Sequence, residues 1–201
     1  AEPWLIPASK DLPPIQHQQL TALNGVKPFQ RDTETLARPW VRIGTPGLEH
    51  RVGGLEKDSN TGNISYDPDN HENMSHMRKA KIDGIARDIP RTVIDGPESG
   101  DLLLLGWGST YGAIKSAADR VRQQGKSVAQ VHLRYLNPLP SDLGDILKRY
   151  KKVLIPEMNL GQLSLIVRAK YVIPAQSLNK IKGQPFTISE IVKAIEAAIS
   201  G

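Results

Sequence analysis

An open, mostly parallel α/β sheet with helices on both faces, preceded by a long extended arm, is the architecture this 201-residue sequence predicts. Three observations lead to it. Residues 102–105 read Leu-Leu-Leu-Leu between Asp101 and Gly106, a run with no polar face, as a strand covered on both sides requires. From Asp101 onward, short apolar runs alternate with segments of 3.6-residue period over short connections. Before about Pro97 neither period is sustained, and turn formers recur at Pro13-Pro14, Asn24-Gly25, Pro46-Gly47, Gly53-Gly54 and Pro68. The expected division is therefore an arm over residues 1–97 and an α/β domain over residues 98–201.

Within the arm, one helix is expected over His71 to Arg87, a mixed-charge stretch with Met74, Met77 and Ile82, capped by the turn Asp67 to Asn70. It reads as a surface helix. Asp101 to Gly106 is the first buried strand. A helix should run from about Thr110 to Gln124, because Ile114, Ala117, Ala118 and Val121 share one face and Gly125 ends it. Val128 to Leu133 is the second strand. Pro140 and Ser141 open a helix whose Leu143, Ile146, Leu147 and Tyr150 fall on one face, and Lys152 to Pro156 gives a third strand. A helix is expected from Gly161 to Lys170 with Leu163, Ile166 and Val167 inward, and an irregular strand is expected near Ser177 to Ile181. Thr187 and Glu190 have capping-box spacing at the start of the last helix, with Ile191, Val192, Ile195, Ala198 and Ile199 as its buried stripe.

Composition narrows the chemistry. The absence of cysteine excludes disulfides, zinc-thiolate sites and iron–sulfur ligation by this chain. The longest apolar run is far short of a membrane span, and no secretory signal opens the sequence; a cytoplasmic protein with neither nucleic-acid nor membrane partner is the expectation. The 15 prolines exceed what a compact domain of this size needs, and the start at Ala1 suggests a fragment of a longer chain. A hundred residues without a core of their own need another surface, from a partner or from absent chain. The net charge of +5 comes from the second half, where Lys and Arg number 14 against 7 Asp and Glu; residues 1–100 carry 12 against 14. The densest cluster, Lys148, Arg149, Lys151 and Lys152, is expected at a helix end, where cations favour the dipole.

Four groups of residues could carry chemistry. Gly106, Gly108, Ser109 and Thr110 lie in Gly-Trp-Gly-Ser-Thr-Tyr-Gly between a strand and a helix, where α/β folds hold phosphates. No acidic residue follows the second strand, so a tight turn with Ser109 or Thr110 as cap is the plainer reading of that segment. Glu157, at the end of a buried strand, is either a functional carboxylate or a cap, with Asn159, for the next helix. Glu49, His50 and Arg51 form a polar loop that could supply an acid-base group, although a lone loop histidine more often makes an interface hydrogen bond. Of the other histidines, His17, His71, His76 and His132, the pair His71 and His76 lacks the spacing of a helical metal pair; no metal site is expected.

The ordered succession Gly-Trp-Gly-Ser-Thr-Tyr-Gly, Leu-Arg-Tyr-Leu-Asn-Pro-Leu-Pro and Val-Leu-Ile-Pro-Glu-Met-Asn-Leu-Gly-Gln-Leu resembles the transketolase C-terminal-like domain of the alpha subunit of 2-oxoacid:ferredoxin oxidoreductases. Ala-Glu-Pro-Trp, Thr-Pro-Gly-Leu-Glu-His, Ser-Tyr-Asp-Pro-Asp-Asn-His-Glu-Asn-Met and Arg-Lys-Ala-Lys resemble the stretch before that domain, and the 2-oxoglutarate branch is the most similar. The resemblance implies a beta subunit holding thiamine diphosphate, Mg2+ and a [4Fe-4S] cluster, an (αβ)2 assembly, coenzyme A as co-substrate and ferredoxin as electron acceptor. The implied reaction converts 2-oxoglutarate and coenzyme A to succinyl-CoA and carbon dioxide, with the thiamine ylid as electron sink. The family's Tyr-Pro-Ile-Thr-Pro segment is absent. No cofactor is therefore expected on this segment alone, which takes a structural and interfacial role and no independent activity. If any residues approach the active centre, Glu49, His50 and Arg51 are the candidates. An independent α/β nucleotide- or anion-binding module is the alternative.

Overall fold

The computed structural model describes residues 6–14, 19–22 and 25–200, so the Ala-Glu-Pro-Trp motif and His17 lie outside the described residues. The chain divides into two compact units, Ala1–Gly84 and Ile85–Gly201. The boundary falls before the expected one, because residues 85–97 are tied to the second unit. Ile94–Asp95 pairs with a strand of its sheet, and Thr92 donates through its amide (2.9 Å) and hydroxyl (2.7 Å) to the Asp142 carboxylate.

The first unit has little regular structure. Strands β1 (Gln19–Leu20) and β2 (Trp40–Val41) pair in parallel, and helix α1 spans Pro68–Gly84, followed by a 3-10 turn at Ile85–Arg87. The helix thus begins three residues earlier than expected. Asp67 accepts the amides of Asp69 (2.8 Å) and Asn70 (3.3 Å), which satisfies donors at the helix start. Met74 is the one buried residue of α1, so the helix is a surface element; Pro28, Phe29 and Leu48 are the other apolar side chains buried in this unit among the described residues. Two loops of the form Asp-x-x-Thr hold the rest. Asp32 accepts the amide and hydroxyl of Thr35 (2.7 and 2.8 Å), and Asp58 accepts those of Thr61 at the same distances. Each loop ends on a left-handed residue, Leu36 (φ 56°) and Gly62 (φ 76°).

The second unit is a five-stranded sheet of order β3 (Ile94–Asp95), β5 (Val128–Leu133), β4 (Gly100–Trp107), β6 (Tyr150–Glu157), β7 (Gln176–Asn179), parallel except for β3. The four leucines of β4 are fully buried and divide by parity. Leu103 and Leu105 face the core under α3 (Leu143–Leu147) and α4 (Gln162–Tyr171), while Leu102 and Leu104 face the core under α2 (Tyr111–Gln123) and α5 (Ile188–Ser200). Helices therefore cover both faces, and each fully buried Leu or Ile contributes about 1.5–3 kcal/mol. Among the described residues no helix is long and apolar enough to cross a membrane.

Tyr150 is a correction to the expected elements. It shares the spacing of the α3 stripe but opens β6 opposite Gly100, and its hydroxyl donates to the Pro97 carbonyl at 2.6 Å. The basic cluster is divided with it. Arg149 pairs with Glu98 (2.9 Å), Lys151 with Asp101 (2.8 Å), and Lys152 donates to the carbonyl of Ala198 (2.7 Å), so only Lys148 and Arg149 lie near a helix end. Ile166 leaves the expected inward stripe of α4: it is half exposed, while Leu163 and Val167 are buried.

Helix α5 starts at the capping box read from the sequence. Thr187 N donates to Glu190 Oε2 (2.7 Å) and Glu190 N donates to Thr187 Oγ1 (3.2 Å). The Lys180 ammonium, followed by the Thr187 amide, holds the Glu190 carboxyl down at about 2. Because folding favours the ionised form, this contribution to stability is complete above the ordinary value of 4.5 and is lost as pH falls toward about 2. An NMR titration of the Glu190 side chain should place its midpoint near that low value, and Lys180→Gln should return it toward the ordinary one; an unshifted midpoint in the native protein would contradict the geometry.

Candidate functional site

Two groupings of polar residues stand out, one in each unit. In the second unit, the C-terminal edges of the adjacent parallel strands β4 and β6 bring the Gly106–Thr110 turn beside Glu157 and Asn159, with the Ser109 hydroxyl 3.7 Å from Met158 Sδ. The turn needs its glycines. A Cβ on Gly106 would lie 2.5 Å from Ile114 Cδ1, and Gly108 has φ 58°. Thr110 is buried, and its hydroxyl donates to the Trp107 carbonyl (2.8 Å) while accepting the Trp107 amide (3.3 Å). That hydroxyl is thus engaged within the turn.

Glu157 is completely buried, and both its oxygens accept backbone amides of α4, from Leu163 and Ser164, each at 2.8 Å. Asn159 Oδ1 accepts the amides of Gly161 (2.6 Å) and Gln162 (3.2 Å). Four amides at the start of α4 are therefore satisfied by two side chains, and a carboxylate at this end also matches the helix dipole. The geometry is that of a cap. Nearby, burial and then Arg134 lower the His132 imidazole below its ordinary value, and its ring meets Tyr111 edge-on at 5.1 Å.

In the first unit, a cleft of about 430 Å³ is lined by His50 and Arg51 together with Arg31, Arg38, Glu56, Lys57 and Arg78. Glu49 does not line it. The His50 ring packs against Phe29 (5.9 Å) and its Nδ1 lies 2.9 Å from the Leu48 carbonyl, which requires a proton on Nδ1 and leaves Nε2 as the other functional nitrogen. Glu56 accepts two bonds from Arg78 (3.1 and 3.3 Å) and lies 2.8 Å from His71 Nδ1. The Arg78 guanidinium is the chief cause that lowers the Glu56 carboxyl to about 2. The floor depends on Gly62, where a Cβ would meet the Phe29 ring at 2.4 Å on a left-handed backbone. Gly62→Ala should destabilise the first unit by roughly 2–4 kcal/mol. A urea titration followed by protease susceptibility of residues 6–84 would detect it. Arg31, Arg38, Lys57 and Arg78 were not among the sequence candidates; the only signal for them was the recurrence of cations around two Asp-x-x-Thr turns.

Residues 100–191 match the pyruvate:ferredoxin oxidoreductase core domain II, so the second unit is an α/β domain of that class. The full chain is 50% identical over 202 residues to the 2-oxoglutarate oxidoreductase subunit KorA of Mycobacterium tuberculosis, covering 100% of this chain and 31% of that protein. It is 32% identical over 183 residues to subunit alpha of 2-oxoacid:ferredoxin oxidoreductase 1 of Aeropyrum pernix, covering 84% and 27%. The fold superposes with TM-score 0.86 on the 2-oxoglutarate:ferredoxin oxidoreductase from Magnetococcus marinus with 2-oxoglutarate, coenzyme A and succinyl-CoA bound, at 30% identity over 96% of this chain and 34% of that one. The chain belongs to the 2-oxoacid:ferredoxin oxidoreductase family. It spans about a third of the length of these relatives.

Proposed function

We propose that this chain is the structural and interfacial part of an enzyme that converts 2-oxoglutarate and coenzyme A to succinyl-CoA and carbon dioxide while reducing ferredoxin. The observation that carries the reading is the 50% identity to a 2-oxoglutarate oxidoreductase subunit along the entire chain, arm included. The exposed apolar side chains of the first unit support partners: Ile43, Val52 and Tyr66 are each more than four-fifths exposed, which suits surfaces covered by further chain of the alpha subunit or by a beta subunit in an (αβ)2 assembly. Coenzyme A is the expected co-substrate.

Thiamine diphosphate, Mg2+ and a [4Fe-4S] cluster belong to the beta subunit in this proposal. The residues present here do not fit the metal groups, because the chain has no cysteine and the described residues bring no three metal-ligating side chains together. Glu49, His50 and Arg51 remain the candidates for approach to the active centre, with His50 and Arg51 favoured because they line the cleft. Gly106, Gly108, Ser109, Thr110, Glu157 and Asn159 take the structural role. A cytoplasmic location accords with a ferredoxin-linked reaction.

The test is co-purification of the chain with its native partners, followed by mass spectrometry and an assay of ferredoxin reduction dependent on both 2-oxoglutarate and coenzyme A. Recovery of a thiamine-bearing partner with that activity supports the reading, and a partnerless, inactive protein overturns it.

A further inference from the structure

The cleft of the first unit carries positive charge that the surrounding side chains do not balance. Arg31, Arg38, Arg51, Lys57 and Arg78 line it against a single carboxylate, Glu56, whose oxygens are already engaged by Arg78 and His71. Lys57 is 95% buried by accessible surface (5% exposed), yet its ammonium donates only to the carbonyls of Gly53 (3.2 Å) and Leu55, with no carboxylate partner among the described residues. Buried cations are ordinarily paired, because the loss of hydration is costly. Arg31 donates through one terminal nitrogen to the Leu36 carbonyl (2.9 Å), while its Nε is buried without any partner. Arg38 has its guanidinium carbon 4.0 Å from the centre of the Phe29 ring, which holds the group in place without neutralising it. Burial, and then the charges of Arg38 and Arg78, push the Arg31 guanidinium down from its ordinary value.

We propose that this cleft is a binding site for a small oxyanion bearing at least two negative charges, a diphosphate or a dicarboxylate, contacted by Arg31, Arg38 and Arg51 and favoured by the buried charge of Lys57. Guanidinium forks match phosphate and carboxylate oxygens in pairs, and Arg78 already makes two such bonds to Glu56. The volume of about 430 Å³ is in the range that holds a small molecule. This site is argued from the first unit alone and does not depend on the oxidoreductase reading.

The experiment is arginine-selective modification with phenylglyoxal, mapped by peptide mass spectrometry, on the native subunit with whatever chains accompany it. Arg38 and Arg51 are exposed and should react; pyrophosphate or succinate at saturating concentration should slow them about fivefold or more by occupancy. Chloride at matched ionic strength should not, and the exposed Arg168 of α4 should be unaffected throughout. Protection by pyrophosphate alone assigns a diphosphate, and protection by succinate alone assigns a dicarboxylate. Equal rates with and without either anion overturn the proposal. So does unreactive Arg38 and Arg51 before any anion is added, since protein already fills the cleft in that case. In Lys57→Gln, protection should fall while Arg38 stays reactive and the circular dichroism is unchanged; full protection in that folded variant removes Lys57 from the site, and the exposed substitution Arg51→Gln then serves as the second check, with undiminished protection of Arg38 overturning the shared site.

Discussion

Glu157→Ala is expected to lower the unfolding free energy of the second unit by about 3 kcal/mol. The carboxylate is completely buried and accepts two amides of α4 at 2.8 Å, so alanine leaves two buried donors without acceptors. Each hydrogen bond to a charged group is worth roughly 1.5–3 kcal/mol, and relaxation or entry of water recovers part of the loss. Glu157→Gln keeps one acceptor oxygen and places an amide group where the second stood, so it should retain only part of the stability. Urea unfolding followed by far-ultraviolet circular dichroism measures both, with unchanged slope expected if the native state stays compact. A loss below about 0.5 kcal/mol in the alanine variant would mean that the cap is dispensable. Such a result would reopen the catalytic reading of Glu157.

Leu104→Ala should cost about as much or more, roughly 2–5 kcal/mol, by a different mechanism. Leu104 lies at the middle of the central strand β4, pairs with Gln130 on one side and Leu154 on the other, and is fully buried in the core with Ile114, Ile191 and Ile195. Truncation leaves a cavity between sheet and helices that neighbours on two fixed helices cannot fully close. The variant should show a lower urea midpoint and a more exposed α5, read as faster amide exchange in residues 188–200. The two substitutions act on opposite sides of the sheet, since Leu163 and Val167 of α4 belong to the other core, and their effects should add to within roughly 0.5 kcal/mol.

The α/β domain was legible where the signal was local. The four-leucine run could only be a strand buried on both faces, and the parity of its side chains supplied both cores. Thr187 and Glu190 could be read as a cap because the motif closes within four residues. Tyr150 shows where local reading stops. Its spacing suits the α3 stripe as well as it suits the first residue of a strand, and pairing with Gly100, fifty residues away, decides between them. The segment Thr92 to Asp95 is too short to show a period and so reads from sequence as part of the arm; its hydrogen bonds to Asp142 and its pairing with β5 put it in the second unit.

By itself the sequence determined the class of fold, the order of the elements from β4 onward, the cap of the last helix and, through motifs in order, the family. Those are properties of short segments whose apolar period or hydrogen-bonding side chains leave one low-energy arrangement. The cationic cleft was decided only by the tertiary structure. Its cations come from Arg31, Arg38, Arg51, Lys57 and Arg78, each unremarkable in a chain with 26 Lys and Arg. What distinguishes them is the burial of Lys57 and of the Arg31 Nε, and burial is a property of the surrounding loops rather than of any one segment. Desolvation gives those charges their significance, and it exists only once the two Asp-x-x-Thr turns and α1 have closed around them.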